Sequence, residues 1–190
     1  MTSRKDAGKS LIEFTDDIGI PERLVTDGAT EFTGPHTEFV KEARRMRIML
    51  HTSEQGRKNQ NHAAEREIGF LSKRWKLRMT KKKVPKRLWD FGLVYESELL
   101  SRMARGDDRR TGYEIVTGQT PDISEWLDFE FYDLVWWLER AEKPNITDHT
   151  RRLARWLGVS HRVGSDLCYW LITESGKIIA KTSVEHVTRD

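Results

Sequence analysis

Apolar residues recur at helical spacing in four stretches of the chain, and each stretch predicts an amphipathic helix. These stretches are residues 3–17, 39–46, 60–79 and 88–103. Gly19 and Pro21 follow the first stretch and are typical of a helix end and the turn after it. In the third stretch the apolar positions form one stripe, which we expect to pack on a sheet; they are Ala64, Ile68, Leu71, Trp75 and Met79.

Short β-strands are predicted between and after these helices. Residues 23–26 indicate a buried strand that ends at Asp27 and Gly28, and residues 47–52 alternate as a second strand would. Aromatic and β-branched residues are dense in 131–138, 167–173 and 177–182, and Glu174-Ser-Gly is typical of a hairpin turn between the last two. The predicted organisation is therefore an α/β region over 1–122, followed by a small β-barrel-like module over 123–190.

Composition narrows the class of protein. The chain has 190 residues, 37% of them hydrophobic and 33% charged, which suits one domain or a partial domain with a small module. A single cysteine, Cys168, excludes an internal disulfide framework and a cysteine-rich zinc site, and it suits a reducing intracellular compartment. No apolar run approaches the length of a membrane span, so no membrane partner is expected.

The net charge of +3 is distributed unevenly. Residues 57–87 hold twelve Lys or Arg against two Glu, whereas residues 123–142 are rich in Asp and Glu. A basic block of this density is what a phosphate backbone attracts, and it favours a nucleic-acid partner. The alternative is an ordinary solvated helix face.

Two acids are candidates for metal-dependent chemistry. Asp27 follows the first strand, and Glu65 lies near the start of the third helix. Carboxylates bind Mg²⁺ while leaving it water ligands, and such ions activate phosphodiester chemistry. For either acid the alternative is a solvated charge or a helix cap, and Asp27 could simply bond the backbone of its neighbour. Glu67 competes with Glu65, but it would point about 200° away around the helix.

The sequence around these acids resembles the integrase catalytic core of copia-type retrotransposons. The phrases are VTDGATEFTG and HTSEQGRKNQNHAAERE, and the matching residues are Asp27, Gly28, Glu31, Phe32, Gln60, Asn61, Ala64, Glu65 and Arg66. Residues 152–160, 168–172 and 175–180 resemble the segment that follows this core in copia polyproteins. The three matches keep the family's order along nearly the whole chain.

The resemblance implies a partial ribonuclease H-like fold and a polynucleotidyl transferase that performs DNA integration, by processing DNA ends and joining them to target DNA. It implies Mg²⁺ or Mn²⁺ as cofactor, with Asp27 and Glu65 as catalytic and metal-binding residues. The partners implied are the element's DNA ends and a target duplex, self-association stays open, and the expected location is intracellular and nuclear. The residues expected to contact DNA are Arg57, Lys58, Asn61, Arg66, Lys73 and Lys76.

The sequence also departs from the family pattern. His62 replaces a usual glycine, and Lys58 and Asn59 replace proline and glutamine. The family's first catalytic acid lies far upstream of the second, whereas only 26 residues precede Asp27 here. We therefore expect a polyprotein fragment that is inactive on its own. The alternatives are a non-enzymatic nucleic-acid-binding or domesticated scaffold protein, and an unrelated nuclease with a ribonuclease H-like core.

Overall fold

A computed structural model of the chain describes residues 6–53, 62–104, 109–139, 151–161, 163 and 167–187. The chain divides into an N-terminal unit, Met1–Phe70, and a C-terminal unit, Leu71–Asp190. The boundary that the sequence predicts between residues 122 and 123 separates family domains and not compact units, and it stays a prediction. None of the described helices combines the length and the apolar character needed to cross a membrane.

The N-terminal unit places helices beside a parallel pair of strands. Its elements are α1 (Ala7–Ile18), β1 (Arg23–Thr26), α2 (Thr30–Thr33), α3 (Glu38–Arg45), β2 (Met49–Thr52) and the first turns of α4 (His62–Lys82). Helix α1 ends where predicted, because Gly19 adopts a positive φ of 105° and its N–H bonds the Thr15 carbonyl. Thr37 caps the N-terminus of helix α3, and its hydroxyl accepts a hydrogen bond from the Val40 N–H.

The core of this unit lies between α1 and α3. Its buried members are Ala7, Leu11, Phe39, Val40, Ala43 and Ile48. A methyl group built on Gly8 would lie 2.8 Å from Glu38 Cβ, so only glycine permits this close approach of the two helices. Strand β1 matches its predicted bounds, but it was wrongly expected to be buried: Thr26 alone of its four residues is buried.

Helix α4 was predicted over residues 60–79 and is observed over His62–Lys82. Its apolar stripe is buried only in part. Trp75 is buried and Met79 packs beside it, whereas Ile68 is 63% exposed and Ala64 is exposed as well. The expectation that the whole stripe packs on a sheet was therefore wrong for its first two members.

The C-terminal unit packs helices against a five-stranded antiparallel sheet. Its remaining elements are α5 (Trp89–Arg102), α6 (Gly112–Thr117), α7 (Ser124–Leu127), β3 (Leu134–Leu138), β4 (Arg151–Val159), β5 (Tyr169–Thr173), β6 (Ile178–Lys181) and β7 (Val184–His186). The strand order is β6-β5-β4-β3-β7. The predicted hairpin turn joins β5 to β6, and Gly176 supplies its positive φ of 80°.

Large aromatic residues fill the core of the C-terminal unit. Trp156 and Phe131 are fully buried, and the Trp75 and Phe131 rings meet edge to face with centroids 5.3 Å apart. A Cβ built on Gly92 of α5 would lie 2.2 Å from Trp75 ring carbons, so α5 approaches the indole through a glycine. Cys168 is buried beside β5, and its carbonyl accepts a hydrogen bond from the Ser160 N–H.

Charged groups also lie inside this unit. The Glu96 carboxylate is buried and pairs with Arg74 at 3.0 Å and with Arg78, both from α4. Near the end of α4, Lys82 pairs with Asp133 at 2.6 Å and with Glu130 at 2.8 Å. Burial would lower the pKa of Lys82, but hydrogen bonds to the two carboxylates raise it overall. These pairs connect α4 to α5 and to the residues before β3.

Candidate metal and nucleic-acid site

Asp27 lies at the carboxyl end of the parallel strand pair. Strands β1 and β2 pair in parallel with Thr26 opposite Thr52, and the Ser53 N–H extends the ladder to the Thr26 carbonyl at 2.9 Å. Both strands therefore end at one edge, which is where open α/β sheets hold ligands. Asp27 is exposed at this edge.

One oxygen of the Asp27 carboxylate already has a backbone partner. The Ala29 N–H donates to Asp27 Oδ1 at 3.2 Å, which closes the turn into α2. This is the hydrogen bond between the Asp27 side chain and the neighbouring backbone that the sequence analysis gave as an alternative, and it is present. It uses one lone pair of a group that has about four, so the carboxylate keeps capacity for a further ligand.

Glu65 lies in the first turn of α4, on the exposed side of the chain. Its negative charge suits the partial positive charge at a helix N-terminus. Glu67 is exposed as well, so burial does not distinguish the two acids. Asp27 and Glu65 both belong to the N-terminal unit.

The donor chemistry of Asp27 and Glu65 suits Mg²⁺ or Mn²⁺, because both ions take carboxylate oxygens and retain water. Within the ranges that the structure describes, however, no three His, Cys, Asp or Glu side chains are grouped closely enough to hold a metal ion. The two acids thus fit the ion in kind, and their role stays a prediction.

The buried Thr26 hydroxyl is a polar group at this edge that sequence reasoning missed. Thr26 directly precedes Asp27 in the sequence. The Thr26 Oγ1 has no hydrogen-bond partner among the described residues. Burial of an unpartnered hydroxyl costs about 1–3 kcal/mol. A threonine at the end of a predicted buried strand is the one sequence signal that could have drawn attention to it.

The predicted DNA contacts divide into two groups. Arg57, Lys58 and Asn61 lie outside the described residues. Arg66, Lys73 and Lys76 are exposed on α4, and the three-residue spacing of the two lysines places them on one face. The positive charge of this face is exposed to solvent, and its contact with DNA stays a prediction.

The basic block is only partly a solvated surface, as its other cations show. Arg74 and Arg78 turn inward to Glu96, and Lys82 turns to Glu130 and Asp133. Lys73, Lys76 and Lys81 stay exposed and form no ion pair with a described residue. The helix therefore uses one set of cations for folding and presents another to solvent.

A titratable cluster on α5 was also missed from the sequence. The Glu98 carboxylate accepts a hydrogen bond from Trp126 Nε1 at 3.1 Å and lies 3.0 Å from His161 Nε2. The Arg102 guanidinium covers the Trp126 ring at 3.9 Å. The hydrogen bond to Glu98 raises the pKa of His161. Trp126 and His161 are 28 and 63 residues from Glu98 in the sequence. A local sequence pattern therefore cannot predict this cluster.

Comparison with known proteins yields a likeness of fold. No family model matches the chain, and no curated protein matches its sequence. A chain in the cryo-EM structure of the simian T-cell lymphotropic virus intasome, in complex with the PP2A regulatory subunit B56 gamma, aligns with a TM-score of 0.54 and 12% identity. The alignment covers 100% of this chain and 66% of that chain. The protein is thus a mixed α/β chain that is distantly similar in fold to a retroviral intasome component, and it spans about two thirds of that component's length.

Proposed function

We propose that the chain is part of a copia-type retroelement integrase with a ribonuclease H-like core, in which Asp27 and Glu65 bind Mg²⁺ or Mn²⁺. The observation that carries the proposal is the position of Asp27 at the carboxyl edge of the β1–β2 pair. From the same edge the chain continues into the helix whose first turn holds Glu65. The likeness in fold to an intasome component supports the same assignment.

A bound divalent ion would supply charge neutralisation at the phosphodiester and an activated nucleophile. The chain's own residues would position the reactants. The Ala29 N–H donates to one oxygen of Asp27, which leaves the second oxygen for a metal ligand. Lys73 and Lys76 would hold DNA phosphates, which gives affinity without a choice of sequence.

Metal binding by these acids can be measured directly. We expect Asp27→Asn and Glu65→Gln to weaken Mn²⁺ binding about tenfold or more in calorimetry, because each removes a charged ligand. Glu67→Gln and Asp16→Asn are matched controls and should leave it unchanged. Equal Mn²⁺ affinity in all five proteins would contradict the assignment. So would joining of DNA ends that persists in Asp27→Asn.

A non-catalytic nucleic-acid-binding role is the second candidate. It is favoured by the Ala29 to Asp27 hydrogen bond, which gives this acid a structural role that needs no metal. In that case Asp27→Ala, which removes the acceptor of the Ala29 N–H, would lower the stability of the N-terminal unit, whereas Asp27→Asn would keep it. Duplex DNA would bind equally well with Mn²⁺ or with a chelator.

A further inference from the structure

A cavity of about 380 Å³ lies at the beginnings of three helices of the N-terminal unit, α1, α2 and α3. Protein interiors leave few voids larger than a water molecule, whereas pockets that bind small molecules have volumes of this order. Thr30 and Glu38 are exposed and belong to its lining, so the cavity opens to solvent. A small molecule can therefore enter it.

The floor of the cavity, which we define as its buried lining residues, is apolar. It consists of Ala7 and Gly8 of α1 and Phe39 of α3. A methyl group built on Gly8 would lie 3.0 Å from the Phe39 backbone nitrogen, so α1 approaches α3 here without an intervening side chain. An apolar group of a ligand would lose water and gain contact with aromatic and aliphatic carbon at this floor.

The rim of the cavity is acidic. Its two charged residues are Glu31 and Glu38, and no lysine or arginine belongs to the lining that the structure describes. Lys41 pairs with Glu38 Oε1 at 2.9 Å, whereas Glu38 Oε2 has no partner among the described residues. The rim therefore favours a positively charged group beside the apolar floor.

An anion is disfavoured at the same place. The N-terminus of α3 carries a partial positive charge, but Glu38 in its first turn and the Thr37 cap already offset this charge. A carboxylate or phosphate at the rim would meet two glutamates. The charge of the rim thus selects between ligands of similar shape.

We propose that this cavity binds a small organic cation, in which an ammonium group is joined to an aromatic or branched apolar body. The apolar body would lie against Phe39, and the ammonium group would face Glu31 and Glu38. The volume equals that of about a dozen water molecules in the liquid, which limits the ligand to a similar number of non-hydrogen atoms. This site goes beyond the proposed function and does not depend on it.

The test is an amide NMR titration of the full 190-residue chain with three probes of closely similar shape. They are phenethylammonium, the neutral 2-phenylethanol and the anionic phenylacetate. Phenethylammonium should bind with a dissociation constant of about a millimolar and shift the amide signals of Gly8, Thr37 and Glu38. The neutral probe should bind about threefold more weakly, as an exposed ion pair allows, and the anionic probe more weakly still.

Two pairs of variants locate the site. Thr30→Trp places an indole in the cavity from an exposed position and should weaken binding about tenfold or more, whereas Thr33→Trp alters an exposed residue of α2 outside the lining and should not. Glu38→Gln should weaken binding of phenethylammonium about threefold without affecting 2-phenylethanol, and Glu42→Gln in the same helix is its control. Circular dichroism checks that each variant is folded, and Thr30→Leu replaces Thr30→Trp if the latter is not.

Equal binding of the three probes overturns the inference, as does a titration in which the signals of the lining residues do not move. Unchanged affinity in Thr30→Trp, or an equal loss in Thr33→Trp, also overturns it. The titrations are run with a chelator, so that they are separate from the Mn²⁺ measurement. A chain that binds phenethylammonium here but does not bind Mn²⁺ would refute the proposed function and leave this site standing, and the converse result would do the opposite.

Discussion

Arg74 Nε lies 3.0 Å from Glu96 Oε2, and the Glu96 side chain is only 1% exposed. Arg78 binds the second oxygen of the same carboxylate. A buried carboxylate is tolerated here because two guanidinium groups replace its water. These three charged side chains therefore connect α4 to α5 at a buried position of the C-terminal unit.

Loss of the Glu96 charge should destabilise the C-terminal unit. Glu96→Gln leaves two arginines without their counter-ion, and removal of one partner from a buried pair costs about 3 kcal/mol or more. Urea denaturation followed by tryptophan fluorescence measures the change. Glu139→Gln breaks the exposed pair with Arg152 and should cost about 0.5 kcal/mol at most. Similar costs for the two variants would contradict the role given to burial.

Two glycines should respond oppositely to alanine. Gly92→Ala places a methyl group 2.2 Å from the Trp75 ring and should cost about 2–3 kcal/mol through overpacking. Gly69→Ala, in α4, meets nothing within 4 Å and should stabilise by about 0.5–1 kcal/mol through helix propensity. Thermal unfolding followed by circular dichroism shows the sign of each effect. A neutral Gly92→Ala would mean that α5 can move away from the indole.

The pair of His161 and Glu98 should make stability depend on pH. The pKa of His161 is raised by its hydrogen bond to Glu98, against burial and the nearby Arg102, while Glu125 adds to the rise. Protonation is therefore favoured in the folded state. The added stability is fully present below the ordinary histidine pKa of about 6.5, and it is lost as the pH rises through the higher folded value.

Glu98→Gln tests this pH dependence. It should lower the pKa of His161, as followed by NMR titration of the imidazole, and it should flatten the fall in unfolding free energy above neutral pH. Glu139→Gln is the control and should leave the titration of His161 unchanged. An unaltered His161 titration in Glu98→Gln would show that another group causes the shift.

The exposed lysines of α4 should set the salt dependence of DNA binding. Each phosphate contact contributes a slope of about −0.9 to the dependence of log K on log salt, so Lys73→Ala/Lys76→Ala should reduce the slope by about 2. The reduction should be the same for unrelated duplexes. Lys9→Ala, a single exposed lysine of α1, is the control. A slope unchanged by the double substitution would place the DNA elsewhere on the chain.

The sequence predicts elements better than it predicts burial. Strand β1 and the turn at Gly176 lie where alternation and turn residues placed them, because those signals are local. Periodicity grouped Ile68 with Trp75 on one helix face, yet only Trp75 is covered. Periodicity shows which side chains lie on the same face of a helix. Whether another element covers that face depends on residues far away in the sequence.

The same limit applies to charged residues. The density of Lys and Arg in 57–87 indicated a phosphate-binding surface, but Arg74, Arg78 and Lys82 are used for folding. Glu96 pairs with Arg74 and Arg78 from a buried position of α5, whereas Glu130 and Asp133 pair with Lys82. For the metal site, the sequence indicated Asp27 and Glu65 through two motifs and their order along the chain. Their joint role stays a prediction that the Mn²⁺ measurement tests.

The burial of Cys168 has a practical consequence. As the single cysteine of the chain, it is the only thiol that an alkylating reagent can modify, and the folded C-terminal unit shields it. The labelling rate therefore reports how often this unit opens, in the manner of hydrogen exchange at one chosen position. The wild-type chain therefore contains a natural probe of local unfolding. The labelling rate of Cys168 can be measured for each substitution above without introducing another cysteine.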